Sequence, residues 1–150
     1  MLIYRITHKK WADKLSASGY VSRWNSNSVY MIYAAENRSL ACLENLVHRN
    51  GLGFEGDFSV MTIEVPDTIL VEKISQNQLP KNWNLNNESS LQKCRIIGDS
   101  WIKNQSSAVL IVPSAIIDNE QNVLINPNHV DFKHIKLSKV EPFLFDNRLK

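Results

Sequence analysis

Apolar residues alternate with polar ones, or form short unbroken runs, along much of the chain, and both patterns are typical of strands. Residues 58–65 alternate and stop at Pro66, while residues 29–34 (VYMIYA) are apolar throughout and are bounded by polar residues. The first pattern predicts a strand, and the second predicts a buried strand. Shorter runs of the same kind predict four further strands, at residues 2–7, 69–74, 108–112 and 122–125.

Two longer segments have the spacing of amphipathic helices. In residues 37–50 the leucines at 40, 43 and 46 form an apolar stripe, with Ser39 as the expected N-cap and Gly51 as the stop. Residues 89–103 carry apolar side chains at spacings of 3, 3 and 4, although Gly98 lowers the helix propensity. The Asn-rich segment 77–90 predicts a surface loop. Because strands and helices do not alternate regularly, we expect one α+β domain over residues 1–150, with a mixed or antiparallel sheet and flanking helices.

Composition excludes several classes of function. The 150 residues carry a net charge of +2, which is too small a bias to indicate a nucleic-acid or membrane-surface partner. Two cysteines without close spacing do not make a disulfide scaffold. No stretch approaches the roughly 20 apolar residues of a membrane span. These features predict a cytoplasmic protein.

The sequence GLGFEG at residues 51–56 matches the dinucleotide-binding pattern G-x-G-x-x-G letter by letter. That pattern binds a pyrophosphate when it follows a strand and opens a helix, because the helix N-terminus then faces the anion. Here the glycines follow a predicted helix and precede a predicted strand. We therefore interpret them as a helix stop and a loop.

Metal, acyl-transfer and nucleotide-hydrolysing motifs are missing from the sequence. The four histidines and two cysteines lack the paired short spacings of zinc ligands. The sequence contains neither a G-x-S-x-G elbow nor a phosphate-binding P-loop. We therefore expect no metal ion and no serine-hydrolase or NTPase chemistry.

Glu44 lies on the margin of the apolar stripe of the first predicted helix, where a carboxylate loses hydration unless a partner compensates. The alternative is that it reaches solvent at the edge of the stripe. Arg5 and Arg23 each stand beside aromatic or apolar residues, as ordinary snorkelling side chains also do. None of these residues identifies a function by itself.

Taken in order, however, these segments resemble a known family. They are YRI at the start, RWN at 23–25, VYMIYAAEN at 29–37, LACLENLVH at 40–48 and the long element GDSWIKNQSSAVLIVPSAIIDNEQNVLINPNHVDF at 98–132. The series is similar to the RES domain, a family named for its Arg, Glu and Ser. The resemblance runs from Tyr4 to about Phe145.

The resemblance implies an ADP-ribosyltransferase-like α+β fold and a bacterial toxin that degrades NAD⁺ by hydrolysis or phosphorolysis. It also implies a helix-turn-helix antitoxin of the Xre type as partner. No cofactor is expected, because NAD⁺ is the substrate, with phosphate as a co-substrate in phosphorolysis. By the same resemblance the site residues are Arg5, Arg23, Tyr33, Glu44 and Ser107, with the adjacent Ser106 as the alternative to Ser107.

The chemistry of NAD⁺ cleavage suits these residue types. Nicotinamide leaves as a neutral molecule, so the transition state needs support for positive charge at the ribose carbon, which Glu44 can supply. Arg5 and Arg23 offer bidentate donors for the pyrophosphate. Tyr33 would present its ring to the nicotinamide, and Ser107 its hydroxyl to the ribose or a phosphate.

The sequence departs from the usual family pattern at three places. SASGYVS replaces a glycine-rich segment, SNS lacks a glycine, and Val130 stands where proline is usual. Two other functions therefore stay open, namely ADP-ribosylation of a protein target and a non-enzymatic or RNA-directed binding module.

Overall fold

The fold is a seven-stranded sheet with two helices, given by a computed structural model that describes residues 1–49 and 56–149. The sheet order is β4-β5-β6-β2-β1-β3-β7, in which β4 and β5 run parallel and the other neighbours are antiparallel. The α+β class predicted from the sequence is confirmed. The elements are β1 Leu2–His8, β2 Ile32–Ala35, α1 Arg38–His48, β3 Phe58–Glu64, β4 Val71–Lys73, α2 Glu88–Asn104, β5 Val109–Pro113, β6 Gln121–Ile125 and β7 Lys136–Phe143.

Both helices begin at an asparagine cap. The side chain of Asn37 accepts a hydrogen bond from the backbone N–H of Leu40 at 2.8 Å, so the expectation of Ser39 as the cap of α1 is wrong. Asn87 caps α2 through the N–H of Ser90. The predicted stop at Gly51, like most of the GLGFEG segment, lies outside the described residues.

The inner strands of the sheet are buried on both faces. Alternate residues of β1, β2, β3, β5 and β6 pack on one side against the loop residues Ala12, Leu15 and Ala17 and against Phe132 and Ile135. On the other side α1 covers the β1–β3 region and α2 covers β5 and β6. This burial is clearest in β3, where every residue except Glu64 is buried, including the polar Ser59 and Thr62.

Three expectations about the elements need correction. Strand β2 covers Ile32–Ala35 and β4 covers Val71–Lys73, so both are shorter than expected. Strand β7 was not predicted. The expected surface loop at 77–90 buries Leu79 and Trp83 in the α2 core, because their large apolar side chains outweigh the polar composition around them.

No helix in the described part of the chain has the length and apolar character needed to cross a membrane.

Candidate active site

A cavity of about 240 Å³ lies where β1 and β2 separate. These strands share one register pair, Tyr4 with Ala35, while β1 continues against β3 as far as His8. Continued antiparallel pairing would join residue 5 to 34 and residue 6 to 33. Those residues line the cavity instead, so the site is a gap in the sheet.

Helix α1 covers this gap with Ala41, Glu44, Asn45 and His48. Asn45 donates a hydrogen bond to the backbone carbonyl of Ile6 at 3.0 Å. Because β2 has moved away from this part of β1, the side-chain amide satisfies a carbonyl that a neighbouring strand would otherwise bind. Asn45 therefore fixes α1 over the open edge of β1.

A second cavity of about 460 Å³ adjoins the first and contains two arginines, Arg23 and Arg95. The Arg23 guanidinium donates to backbone carbonyls of three consecutive residues, Trp83 at 2.8 Å, Asn84 at 3.5 Å and Leu85 at 3.3 Å. Arg95 donates to the carbonyl of Ser22 at 2.9 Å and to Glu88 at 2.7 Å, and its side chain is 17% exposed. These cations make the second cavity suited to an anion.

Glu44 belongs to both cavities, together with Tyr33, His48 and Asn122. Its Oε1 accepts a hydrogen bond from Asn122 Nδ2 at 2.6 Å, and its side chain is 22% exposed. His48 Nδ1 lies 2.8 Å from the Glu44 backbone oxygen and 3.8 Å from Oε2. Since a carbonyl oxygen only accepts, Nδ1 carries the proton in that contact. The carboxylate is thus largely shielded from solvent and held at the junction of the cavities.

The turn that carries Arg23 (residues 23–26) is held in place by a network of polar groups. Tyr33 donates its hydroxyl hydrogen to Asn25 Oδ1 at 2.6 Å and accepts the N–H of Trp24 at 3.1 Å. Burial raises the pKa of the Tyr33 phenol, so the hydroxyl stays neutral at physiological pH. The tyrosine therefore positions the turn through its hydroxyl while its side chain lines both cavities.

Helix α2 contacts the same turn at very short range. A Cβ added at Gly98 would lie 1.8 Å from the Trp24 carbonyl oxygen, and Asp99 accepts hydrogen bonds from the N–H and hydroxyl of Ser26. Although Gly98 lowers helix propensity, only glycine leaves room for the backbone of α2 to approach the backbone of Trp24 this closely.

The structure brings four of the five sequence-predicted residues to these cavities. Arg5 lines the first cavity and donates to the carbonyl of Ser16 at 2.7 Å, and burial lowers the pKa of its guanidinium. Arg23 lines the second cavity, and Tyr33 and Glu44 line both.

Ser107 lies elsewhere. Its side chain is fully buried, accepts from Trp101 Nε1 at 2.9 Å and donates to the carbonyl of Val109 at 3.0 Å. The alternative, Ser106, donates to Glu72 of β4. Neither hydroxyl lines the cavities around Glu44. The described contacts of Ser107 instead join α2 to the start of β5.

Sequence reasoning did not select five residues that line the cavities, Tyr4, Asn45, His48, Arg95 and Asn122. His48 follows Glu44 by four positions and so shares its helix face, which was a usable sequence signal. The sheet register brings Asn122 to Glu44, and the packing of α2 brings Arg95 into the cavity that contains Arg23. Local sequence patterns reveal neither arrangement.

Comparison with known proteins agrees with this architecture. The crystal structure of the Mycobacterium tuberculosis MbcT–MbcA toxin–antitoxin complex contains a chain that superposes with a TM-score of 0.74 at 17% identity, covering 95% of this chain and 83% of the other. At that identity the likeness establishes the fold.

Sequence relatives are closer. The chain is 41% identical over 143 residues to a Prs ADP-ribosylating toxin of Sphingobium sp., covering 92% of this chain and 88% of the relative. It is 34% identical over 156 residues to Toxin Res of Yersinia enterocolitica, across 100% of both chains. The RES domain profile matches residues 2–146. The chain therefore belongs to the RES domain family.

Proposed function

We propose that the chain is the toxin of a toxin–antitoxin pair and an enzyme that cleaves the nicotinamide–ribose bond of NAD⁺. The observation that carries this proposal is the position of Glu44 between two cavities of different chemistry. On one side are Tyr4, three alanines and the opened edge of β1 with Arg5, and on the other are Arg23 and Arg95. A dinucleotide has the same division, with an aromatic ring on a ribose at one end and a pyrophosphate next to it.

The reaction needs no general acid, because nicotinamide is a cationic leaving group that departs neutral. Positive charge develops at the anomeric carbon, and a fixed carboxylate stabilises it more in the transition state than in the ground state. Glu44 is suited to this role because a hydrogen bond from Asn122 orients it and little solvent screens it. Tyr4 and Tyr33 supply aromatic surface for the nicotinamide ring.

The pyrophosphate is assigned to the second cavity. Arg23 and Arg95 offer planar guanidinium donors that match phosphate oxygens. Arg5 adds a third guanidinium on the side of the first cavity. Both cavities fall within or near the volume range of about 300–1,000 Å³ usual for small-molecule sites.

The test is nicotinamide release from NAD⁺ by the purified chain, compared with its Glu44→Gln variant. This variant keeps the shape and removes the charge, so release is expected to fall about 100-fold or more, as when other transition-state contacts are lost, while the melting temperature stays close to that of the wild type. Equal turnover in the two proteins would remove Glu44 from the mechanism.

Two acceptors compete in this proposal. Water gives hydrolysis and inorganic phosphate gives phosphorolysis, and dependence of the rate on phosphate concentration separates them. Transfer of ADP-ribose to a protein is the second candidate function, favoured by the Sphingobium relative, whose name describes an ADP-ribosylating toxin. Label from NAD⁺ that becomes attached to a protein, with no free ADP-ribose product, would establish that alternative.

An antitoxin partner is part of the same proposal. The structural neighbour was solved as a toxin–antitoxin complex, and we assign an Xre-type helix-turn-helix protein to this chain as its partner. Co-expression with a neighbouring gene of that type is expected to restore growth to cells that express the chain. Growth arrest that persists with every such partner would contradict this assignment.

A further inference from the structure

Asn122 connects the sheet to the carboxylate on which the proposed reaction depends. It lies second in β6, opposite Ala35 of β2, and lines both cavities. Its Nδ2 donates to Glu44 Oε1 at 2.6 Å, across a separation of 78 residues in sequence. A hydrogen bond to a charged acceptor at this length is among the stronger side-chain contacts in proteins.

The other end of the same amide has no described partner. Asn122 Oδ1 is buried and has no hydrogen-bond partner among the described residues. Leaving a buried acceptor unpaired costs about 1–3 kcal/mol. Asn45 and Asn126 also leave one buried amide atom without a described partner, whereas Asn25 pairs both ends, with Tyr33 on one side and backbone carbonyls on the other. Asn122 instead keeps one end unpaired and directs its donor at Glu44.

A separate clamp, formed by two hydrogen bonds, already joins the start of α1 to the start of β6. Asn37 at the start of α1 donates to Glu120 at 2.5 Å, and the Glu36 N–H donates to the Gln121 carbonyl at 3.2 Å. Neither Asn37 nor Glu120 lines the cavities around Glu44. The helix is therefore fastened to β6 without Asn122, whose bond adds orientation of one carboxylate.

We infer that Asn122 is a positioning residue that acts through Glu44, holding the carboxylate in one orientation at the junction of the two cavities. This inference rests on the proposed cleavage of NAD⁺. One carboxylate oxygen is bound by the amide, so the group cannot rotate freely, and Oε2 keeps a defined direction. His48 Nδ1 lies 3.8 Å from Oε2, and the His48 side chain is mostly exposed.

The test is a double-mutant cycle on kcat with Asn122→Leu and Glu44→Gln. Leucine keeps the number and branching of the side-chain heavy atoms and removes the donor. In the wild-type background Asn122→Leu is expected to lower kcat about 10- to 100-fold, as small misplacements of a reacting group do, with KM nearly unchanged. In the Glu44→Gln background the same substitution is expected to change kcat little, because the charge it positions is already gone. Equal effects in both backgrounds would overturn the inference.

A matched control and a second readout separate positioning from stability. Glu120→Gln weakens the clamp at Asn37 and is expected to lower the melting temperature without lowering kcat. If Asn122→Leu does not fold, the side-chain amide resonances of Asn122 in the wild-type protein decide instead. They are expected to shift when Glu44 is replaced by alanine, and unchanged resonances would contradict the inference. A wild-type chain that releases no nicotinamide refutes the proposed function, whereas an active chain with an additive cycle refutes the role of Asn122 alone.

Discussion

Replacing Gly98 by alanine tests whether the turn that carries Arg23 depends on backbone contact with α2. The new Cβ would lie 1.8 Å from the carbonyl oxygen of Trp24 and 2.8 Å from its carbonyl carbon. Ordinary contacts between carbon and carbonyl oxygen are about 3.3 Å or longer. The turn or the helix must therefore move by about 1.5 Å, the difference between these contact distances.

The expected sign of the stability change is opposite to that of helix propensity. On propensity alone, glycine to alanine inside a helix stabilises a protein by about 1 kcal/mol. Overpacking against groups that cannot rotate away costs about 1–3 kcal/mol, and the obstructing atoms here belong to backbone. We therefore expect Gly98→Ala to lower the free energy of unfolding by up to about 2 kcal/mol, the difference of these two effects.

Urea unfolding followed by tryptophan fluorescence measures that change, and nicotinamide release measures its consequence for the site. Displacement of the turn is expected to reduce kcat/KM about 10- to 100-fold, because Arg23 moves with it. Lys93→Ala, at an exposed position of the same helix, is the control and should stay within about 0.5 kcal/mol of the wild type. A Gly98→Ala protein more stable than the wild type would refute the argument.

Three further predictions concern single side chains. Asn37→Ala should lower the free energy of unfolding by about 0.5–2 kcal/mol through loss of the α1 cap, and loss of the hydrogen bond from Asn37 to Glu120 adds to this. Urea unfolding measures the change, and a larger loss from Ser39→Ala would contradict the cap assignment. Arg23→Lys should lower kcat/KM about 10- to 100-fold, since charge-assisted hydrogen bonds contribute about 1.5–3 kcal/mol, and steady-state kinetics with wild-type values would exclude Arg23 from binding. Burial raises the pKa of Tyr33 in the folded state. The stability that this group contributes is therefore present below about pH 10, the ordinary tyrosine pKa, and is lost above it as the phenol of the unfolded chain ionises. Tyr33→Phe should flatten that alkaline decline in the free energy of unfolding, and a pH profile identical to that of the wild type would contradict the assignment.

Much of the sheet was predictable because its strands are buried and apolar. β5 stands out as an unbroken apolar run that ends at Pro113, and β3 as a segment in which apolar and polar residues alternate. β7 was missed because it is an edge strand with two lysines, a glutamate and Pro142. Such residues protect an edge from pairing with other chains and at the same time remove the apolar pattern that reveals a strand.

The candidate site was predictable where one element carries the signal. Glu44 could be singled out because a helix has a regular period, which places this acid beside an apolar stripe. The gap between β1 and β2 could not, because register is a property of the assembled sheet. Asn122 meets Glu44 across that sheet, and no local pattern records the contact. Ser107 was selected by motif order, which does not reveal that its hydroxyl binds Trp101 in the interior.

The most direct measurement of the central claim is a crystal structure of the Glu44→Gln variant with intact NAD⁺. The nicotinamide ribose is expected beside position 44 in the gap between β1 and β2, with the pyrophosphate against Arg23 and Arg95. A dinucleotide bound away from position 44, for example in the groove between α2 and β4, would contradict the account.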